Sequence, residues 1–423
     1  MISVARTSVR KSLRVVVDAV VYGFQKYGGV NTYFSEILQR ISRRRDSRVD
    51  LLLPPKVVGK LPTGRIGRLR RHVFQGSFVN YAAYWPAPHT DWVISWLFPE
   101  SSAYSNGFTP RTRQLFRNIA ELIDDRVLCQ RLRLTRRTVF QSTYFTLPDI
   151  PVPQIATALD LNHELLPEYY DNQLGKWLRS IIRRNIGGAT RVVAISETTK
   201  RHLCCTYQVP ESRVDVVYPG VEPADFYPEN DTAFLDALKT KYDLGRPYIL
   251  FVGHREGFKN FSCLLAAFAE HGFHKSHDLV AVGPPWSEEE LVEYAKFKVW
   301  GRVRNIVFPP LEDLRGLYSL ASVFVYPSRG EGFGIPLLEA LMVGVPILAS
   351  DIEVFREVSG ETAAYFDPAS PHKLAEQLER TLEAGNRHDL AALGRERAGV
   401  FSWDEAALKM REIYEKALAD FES

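Results

Sequence analysis

The chain has 423 residues with a net charge of +3, 45% hydrophobic and 24% charged, which is too long for one ordinary core and points to two globular domains. No apolar run approaches the roughly 18–20 residues of a spanning helix. The four cysteines, Cys129, Cys204, Cys205 and Cys263, show no CxxC pair and no Cys/His ligand spacing, which argues against a disulfide framework or zinc site and for a reducing, cytoplasmic setting.

In chain order, Arg6, Arg10, Lys11 and Arg14 precede Val15–Val17, a brief likeness to a leader that Asp18 interrupts; the stretch reads instead as a buried strand. Short β-branched runs recur at 13–21, 48–54, 91–96, 138–143, 154–160, 191–196 and 214–220. A second series follows at 248–253, 278–283, 305–310, 322–328 and 345–351. Amphipathic stretches separate the runs, the pattern of βαβ units and parallel sheets. Between the two series, Pro219, Gly220, Pro223 and Pro228 mark a linker, so the expected division is 1–222, 223–401 and a C-terminal helix over 402–423, opened by the capping-box pair Ser402 and Glu405.

Charge is unevenly spread: residues 1–222 carry 32 Lys and Arg against 18 Asp and Glu, an excess of +14, and the remainder carries −11. The basic runs are Arg40–Arg48, Arg65–Arg71 and Arg126–Arg137. Nucleic acid, an anionic membrane surface and a phosphorylated acceptor are the partners such a half could meet. No recognisable nucleic-acid module accompanies the arginines.

The residues with the clearest chemistry lie at 326–342. A strand ends at Pro327, a loop carries Gly330, Glu331, Gly332 and Gly334, and a helix opens near Pro336 with Glu339 in its first turns. The N–H groups of Phe333, Gly334 and Ile335 would point outward at the positive end of the helix dipole, a place for phosphate or hydroxyl oxygens. Upstream, Gly253, Arg255 and Lys259 follow a strand and precede a helix, two cations placed to neutralise a diphosphate. Gly28 and Gly29 open the helix after the first strand.

The segment E-G-F-G-I-P-x-x-E resembles the E-x7-E motif of retaining, GT-B-fold glycosyltransferases of family four, the glycosyl transferases group 1. The stretch 253–260 is similar to that family's diphosphate-gripping element and 23–38 to its glycine-rich loop. Related segments cover most of 14–38, 138–228 and 248–380, while 40–135 adds little. The resemblance implies an α/β fold of two facing Rossmann-like domains with the C-terminal helix returning to the first. It implies that Glu331 contacts the transferred sugar, Glu339 the ribose, and Arg255 and Lys259 the diphosphate. By the same likeness Gly29, Gly253, Leu311, Phe333, Gly334 and Ile335 belong to the donor side. Tyr33, Tyr144, Asp160 and His163 belong to the acceptor side.

Two departures stand out. Many relatives carry His-Asp where this chain has Leu159-Asp160, with His163 three residues on, and often His where Gln141 stands. The implied activity is retaining transfer of a hexose from a nucleotide-diphosphate sugar, GDP-mannose first and a UDP-sugar next. The acceptor is a saccharide or lipid-linked saccharide of a surface polysaccharide such as O-antigen. No cofactor and no metal are expected, nucleic acid is not an expected partner, and the enzyme is placed in the cytoplasm, peripheral on the inner face of the plasma membrane. The alternative is a catalytically silent nucleotide-sugar-binding partner subunit.

Overall fold

The computed structural model describes residues 12–18, 29–52, 134–143, 147–255, 257–383 and 387–422. The expected strand at 91–96, the run Arg65–Arg71, most of Arg126–Arg137, Gly28 and Tyr144 lie outside them.

The first half forms strands β1 (Leu13–Asp18), β2 (Ser47–Leu52), β3 (Thr138–Ser142), β4 (Gln154–Ala158), β5 (Arg191–Ala194) and β6 (Val214–Val216), with helices α1 (Gly29–Ser42), α2 (Asn162–Leu165), α3 (Gln173–Gly188) and α4 (Glu197–Tyr207). These strands make a parallel sheet in the order β2-β1-β3-β4-β5-β6. The run Val15–Val17 is fully buried, as β-branched residues covered on both faces of a parallel sheet should be.

After α5 (Thr232–Lys241) the second sheet begins, with β7 (Tyr248–Val252), β8 (Asp278–Gly283), β9 (Val303–Val307), β10 (Val323–Tyr326), β11 (Ile347–Ser350) and β12 (Ala364–Phe366). Its order is β12-β11-β10-β7-β8-β9, again parallel. Helices α6 (Phe261–Glu270), α7 (Glu288–Tyr294), α8 (Leu311–Leu320), α9 (Ile335–Val343), α10 (Glu353–Ser359), α11 (Pro371–Glu383) and α12 (Arg387–Gly399) accompany it. In both sheets the strand order reverses beside the first strand of the half, and the carboxyl ends there leave the crevice in which open α/β sheets bind ligands.

The last helix, α13 (Trp403–Glu422), packs on the first domain. Its Met410, Ile413, Tyr414, Ala417 and Leu418 are buried, and the Tyr414 hydroxyl donates to Gln141 Oε1 at 3.1 Å. The amide of Gln141 donates to Thr157 Oγ1 at 3.0 Å. Gln141 is thus a buried anchor for α13, and its difference from histidine bears on packing rather than on the cleft.

The chain crosses between domains twice, at 217–222 and 399–403. The Val221 N–H donates to Phe401 O at 3.2 Å, and a Cβ on Gly220 would collide with the backbone of Trp403. Phe333 and Phe401 pack edge to face at 5.3 Å, with Tyr218 beside both, so one apolar cluster runs through both crossings into each domain. On the cleft's other flank, Glu357 of α10 caps the amino end of α4. Its carboxylate accepts from the N–H of Glu197 at 2.7 Å, and from the N–H and hydroxyl of Thr198 at 2.9 and 2.6 Å.

Candidate active site

The carboxyl end of β10 feeds a loop that Gly334 converts into α9. Gly334 has φ +103°, a backbone state that strains any residue with a Cβ, and Phe355 and Tyr326 close in on the vacant position at 3.1 and 3.2 Å. The N–H groups of Leu337 and Leu338 bond Gly334 O. Those of Phe333, Gly334 and Ile335 meet no acceptor among the described residues and carry the partial positive charge of the helix end.

In front of this helix end lies Glu331. Its Oε1 accepts from Lys259 Nζ at 2.6 Å, Ser328 Oγ at 2.8 Å and the Tyr326 hydroxyl at 3.0 Å. Burial and the Glu331 charge push the Tyr326 phenol well above its ordinary pKa, so it stays protonated and keeps donating. Lys259 stands at the end of a tight turn after β7, between the rings of Phe258 and Tyr326, 5.3 and 6.0 Å from their centroids. Eight residues past Glu331, Glu339 accepts from the Tyr318 hydroxyl at 3.1 Å and remains partly exposed.

The first domain brings Asp160 to the same place. Burial and then the Glu331 charge raise its carboxyl pKa, against the opposing pull of the Asn162 N–H and Lys259. Asn162 N–H donates to Asp160 Oδ1 at 3.0 Å. Gly29, first residue of α1, faces Ile335, whose Cδ1 would be 3.3 Å from a Cβ there. Gly29 from one domain and the amino end of α9 from the other therefore meet across the cleft. Leu311 opens α8 and is partly buried against the core. Gly253, at φ +139°, has open space where a Cβ would sit.

Three assignments change. Arg255 does not face the cleft: it is 1% exposed. The Glu290 carboxylate takes its guanidinium through two bonds, at 2.8 and 2.9 Å, Pro285 O accepts at 2.9 Å, and the Trp286 ring lies 4.1 Å away. The chain leaves Gly253 in a glycine conformation that turns Arg255 inward, and Glu290, itself locked in a capping box with Ser287, cancels the charge. Arg255 ties the β7 and β8 loops together, its guanidinium turned away from the cleft.

His163 is likewise buried, its Nε2 3.0 Å from the Tyr207 hydroxyl; burial lowers its pKa to about 4. Tyr33 lies in the core with its hydroxyl donating to Val217 O at 3.1 Å. Neither side chain opens onto the cleft. The spacing of Tyr33, Ile37 and Ile41, one helical stripe, is the signal in the sequence that corresponds to this core position. The side chain of Phe333 also belongs to the core, leaving its N–H as the group for a ligand.

Other residues join the site without a motif to flag them. Tyr326 and Ser328 orient Glu331. His254, exposed at the end of β7, has its pKa lowered by the protein around it and by the charges of Lys259 and Arg255. Leu159 presses its carbonyl on Gly332, which has no room for a Cβ.

Comparison with known proteins finds matches in both halves of the chain. Residues 236–397 match the model "Glycosyl transferases group 1" and residues 141–225 the model "Glycosyltransferase Family 4". The chain is 26% identical over 291 residues to the O-antigen chain mannosyltransferase B of Escherichia coli, covering 67% of this chain and 75% of that protein. It is 32% identical over 256 residues to the D-inositol 3-phosphate glycosyltransferase of Salinispora tropica, covering 56% of this chain and 52% of that one. Several curated relatives are thus matched over only about half their length. Among solved structures, the sucrose-phosphate synthase of Thermosynechococcus elongatus superposes with a TM-score of 0.68 at 18% identity, covering 96% and 99% of the two chains. Anabaena HepE in complex with UDP and glucose superposes at 0.63 and 14%, covering 95% and 98%. At such identities these two establish the GT-B fold alone.

Proposed function

From a chain that carries a group 1 glycosyl transferase domain and a family 4 glycosyltransferase domain, we propose a retaining hexosyltransferase that uses a nucleotide-diphosphate sugar and a saccharide or lipid-linked saccharide acceptor. The observation that carries it is the Lys259–Glu331 pair, 2.6 Å apart at the amino end of α9, with Asp160 reaching it from the opposite domain. GDP-mannose is the first donor to test, on the likeness to mannosyltransferases, and a UDP-sugar the second.

In this reading the diphosphate lies between Lys259 and the N–H groups of Phe333–Ile335, and Glu331 holds the sugar hydroxyls. Glu339 accepts the ribose hydroxyls. Scission of the anomeric bond puts charge on the leaving phosphate; Lys259 and the helix end stabilise it. Retention follows front-face transfer, with the leaving diphosphate helping to take the acceptor's proton. Asp160, drawn toward its neutral form by burial and then by the Glu331 charge, lines the acceptor side. The charges needed at the diphosphate come from the protein, so activity is metal-independent, and no cofactor is used. The acceptor is offered at the anionic inner face of a membrane, in keeping with the basic first half.

A hydrolysis screen across GDP-, UDP- and dTDP-sugars, with and without EDTA, tests the reading, and NMR of the released sugar reads the anomeric outcome. Turnover of one class with retained configuration and no loss in EDTA is expected. Nucleotide binding without turnover of any donor would replace the enzyme by a silent binder, and recovery only on adding Mg²⁺ or Mn²⁺ would end the metal-free mechanism.

A further inference from the structure

One short segment of the first domain, 159–170, touches both loops that carry the reacting pair. Leu159 O lies on Gly332, and Asn162 Nδ2 donates to Gly330 O at 3.4 Å, with Leu166 packed on the same glycine. These contacts flank Glu331. On the other side, the Tyr169 ring lies against Gly257, 3.4 Å from where a Cβ would stand, and edge-on to Phe258 at 6.5 Å. Tyr170 stacks on Phe258 with centroids 6.4 Å apart and planes 26° from parallel. Phe258 precedes Lys259 and lies under its ammonium at 5.3 Å, while Phe258 O accepts the Arg329 N–H at 2.7 Å and so joins the two loops.

We propose that Tyr169, Tyr170 and Phe258 form an aromatic clasp across the cleft that positions Lys259, so that the ammonium reaches its working place only when the two domains meet. Offset and edge-on aromatic pairs favour a restricted set of geometries beyond their buried area, and the ring face holds the ammonium by its quadrupole. Tyr170 touches no reacting atom and acts through Phe258. The clasp gives domain closure a chemical consequence: with the rings apart, Lys259 has Glu331 but loses the support that fixes its approach to the diphosphate. This inference rests on the transferase reading for Lys259.

The test uses the full chain and the variants Tyr170→Ala, Tyr170→Phe, Phe258→Ala, Phe258→Leu and the double alanine. Donor hydrolysis is measured with the nucleotide-sugar that the unaltered protein turns over, and amide exchange is followed at 257–261. Misplacing a catalytic group by about 1 Å costs on the order of 10²-fold, so Tyr170→Ala should lower kcat roughly 10- to 100-fold. KM should stay near its original value, and exchange at 257–261 should quicken. Tyr170→Phe should keep kcat, because the clasp is made by the ring. The double variant should be no slower than Phe258→Ala alone. Unchanged kcat in Tyr170→Ala, equal losses in Tyr170→Phe and Tyr170→Ala, or losses that multiply in the double variant would overturn the clasp. Phe258→Leu, which keeps an apolar side chain of intermediate size and removes the ring, serves if an alanine variant fails to fold. If the unaltered protein hydrolyses no nucleotide-sugar, the transferase reading falls by itself. Exchange then decides the clasp: faster exchange in Tyr170→Ala than in Tyr170→Phe supports it, and equal exchange ends it.

Discussion

A lysine and a carboxylate 2.6 Å apart, backed by a tyrosine and a serine hydroxyl on the same oxygen, define one charge balance, and the ribose side of the site should fail differently from it. Lys259→Ala takes away the cation opposite the leaving phosphate, and a loss on the order of 10²–10³ in kcat is expected with the fold intact; near-normal turnover would remove Lys259 from the mechanism. Glu339→Gln should raise KM with kcat little changed, since a ribose contact is made equally in ground and transition states. A fall confined to kcat would contradict that role. His163 gives a stability prediction instead. Its folded pKa of about 4 lies below the ordinary 6.5, so the unfolded chain binds the proton more readily. The stability this group contributes is present above pH 6.5 and is lost as pH falls toward 4, on the order of 2–3 kcal/mol. His163→Gln should flatten that part of the melting temperature–pH curve; an unchanged slope between pH 6.5 and 4 would assign the acid sensitivity elsewhere.

At the scale of elements, function depends on how loops from opposite sheets meet. Gly332 has Leu159 O where a Cβ would go, and Thr199 Oγ1 donates to its carbonyl at 3.3 Å. The contact joins two domains, so Gly332→Ala should part them rather than unfold either. Small-angle scattering should report a larger radius, and donor turnover should fall at least tenfold, because a misplacement of about 1 Å already costs more. A variant as compact and as active as the original would show that this closed contact is dispensable. The same elements explain what the sequence disclosed. Strands β7 to β11 and the glycine-to-helix turn at 330–336 were readable because each is encoded contiguously, in apolar runs or in glycine and proline placement, whereas the three-residue β12 is too short to show a run. The directions of Arg255, His163 and Gln141 were not, since each is fixed by a partner far along the chain: Glu290, Tyr207 and Tyr414. Lys259 and Glu331, 72 residues apart, could be paired only through the resemblance.

Over the whole molecule, the charge asymmetry acquires a partial answer in α13. Asp404 pairs with Arg40 at 2.7 Å, Glu415 with Arg137 at 2.7 Å and Asp420 with Arg191 at 2.6 Å. Acidic residues of the second half thus lie on the basic first domain, and Arg44 and Arg48 also face acids, Asp46 and Asp50. Such exposed pairs add little stability, but they reduce the field that a partner meets. Arg43 and Arg45 stay exposed. No helix among the described residues is long and apolar enough to cross a membrane, so attachment through this domain would be electrostatic. Each cation near an anionic leaflet contributes about 1 kcal/mol, and the attraction decays over a Debye length of ~8–10 Å. Co-sedimentation should therefore require anionic vesicles and fade with added salt. Reversing Arg43 and Arg45 to glutamate should weaken binding more than tenfold while leaving donor hydrolysis in solution unchanged, because neither lies near the cleft residues. Equal sedimentation with neutral and anionic vesicles, or none with either, would remove the membrane from the proposal. Turnover of a soluble donor would stand apart from that result, since Lys259, Glu331 and α9 belong to the second domain, and the turn that carries Arg43 and Arg45 lies at the amino end of β2 in the first, away from the carboxyl ends that face the cleft.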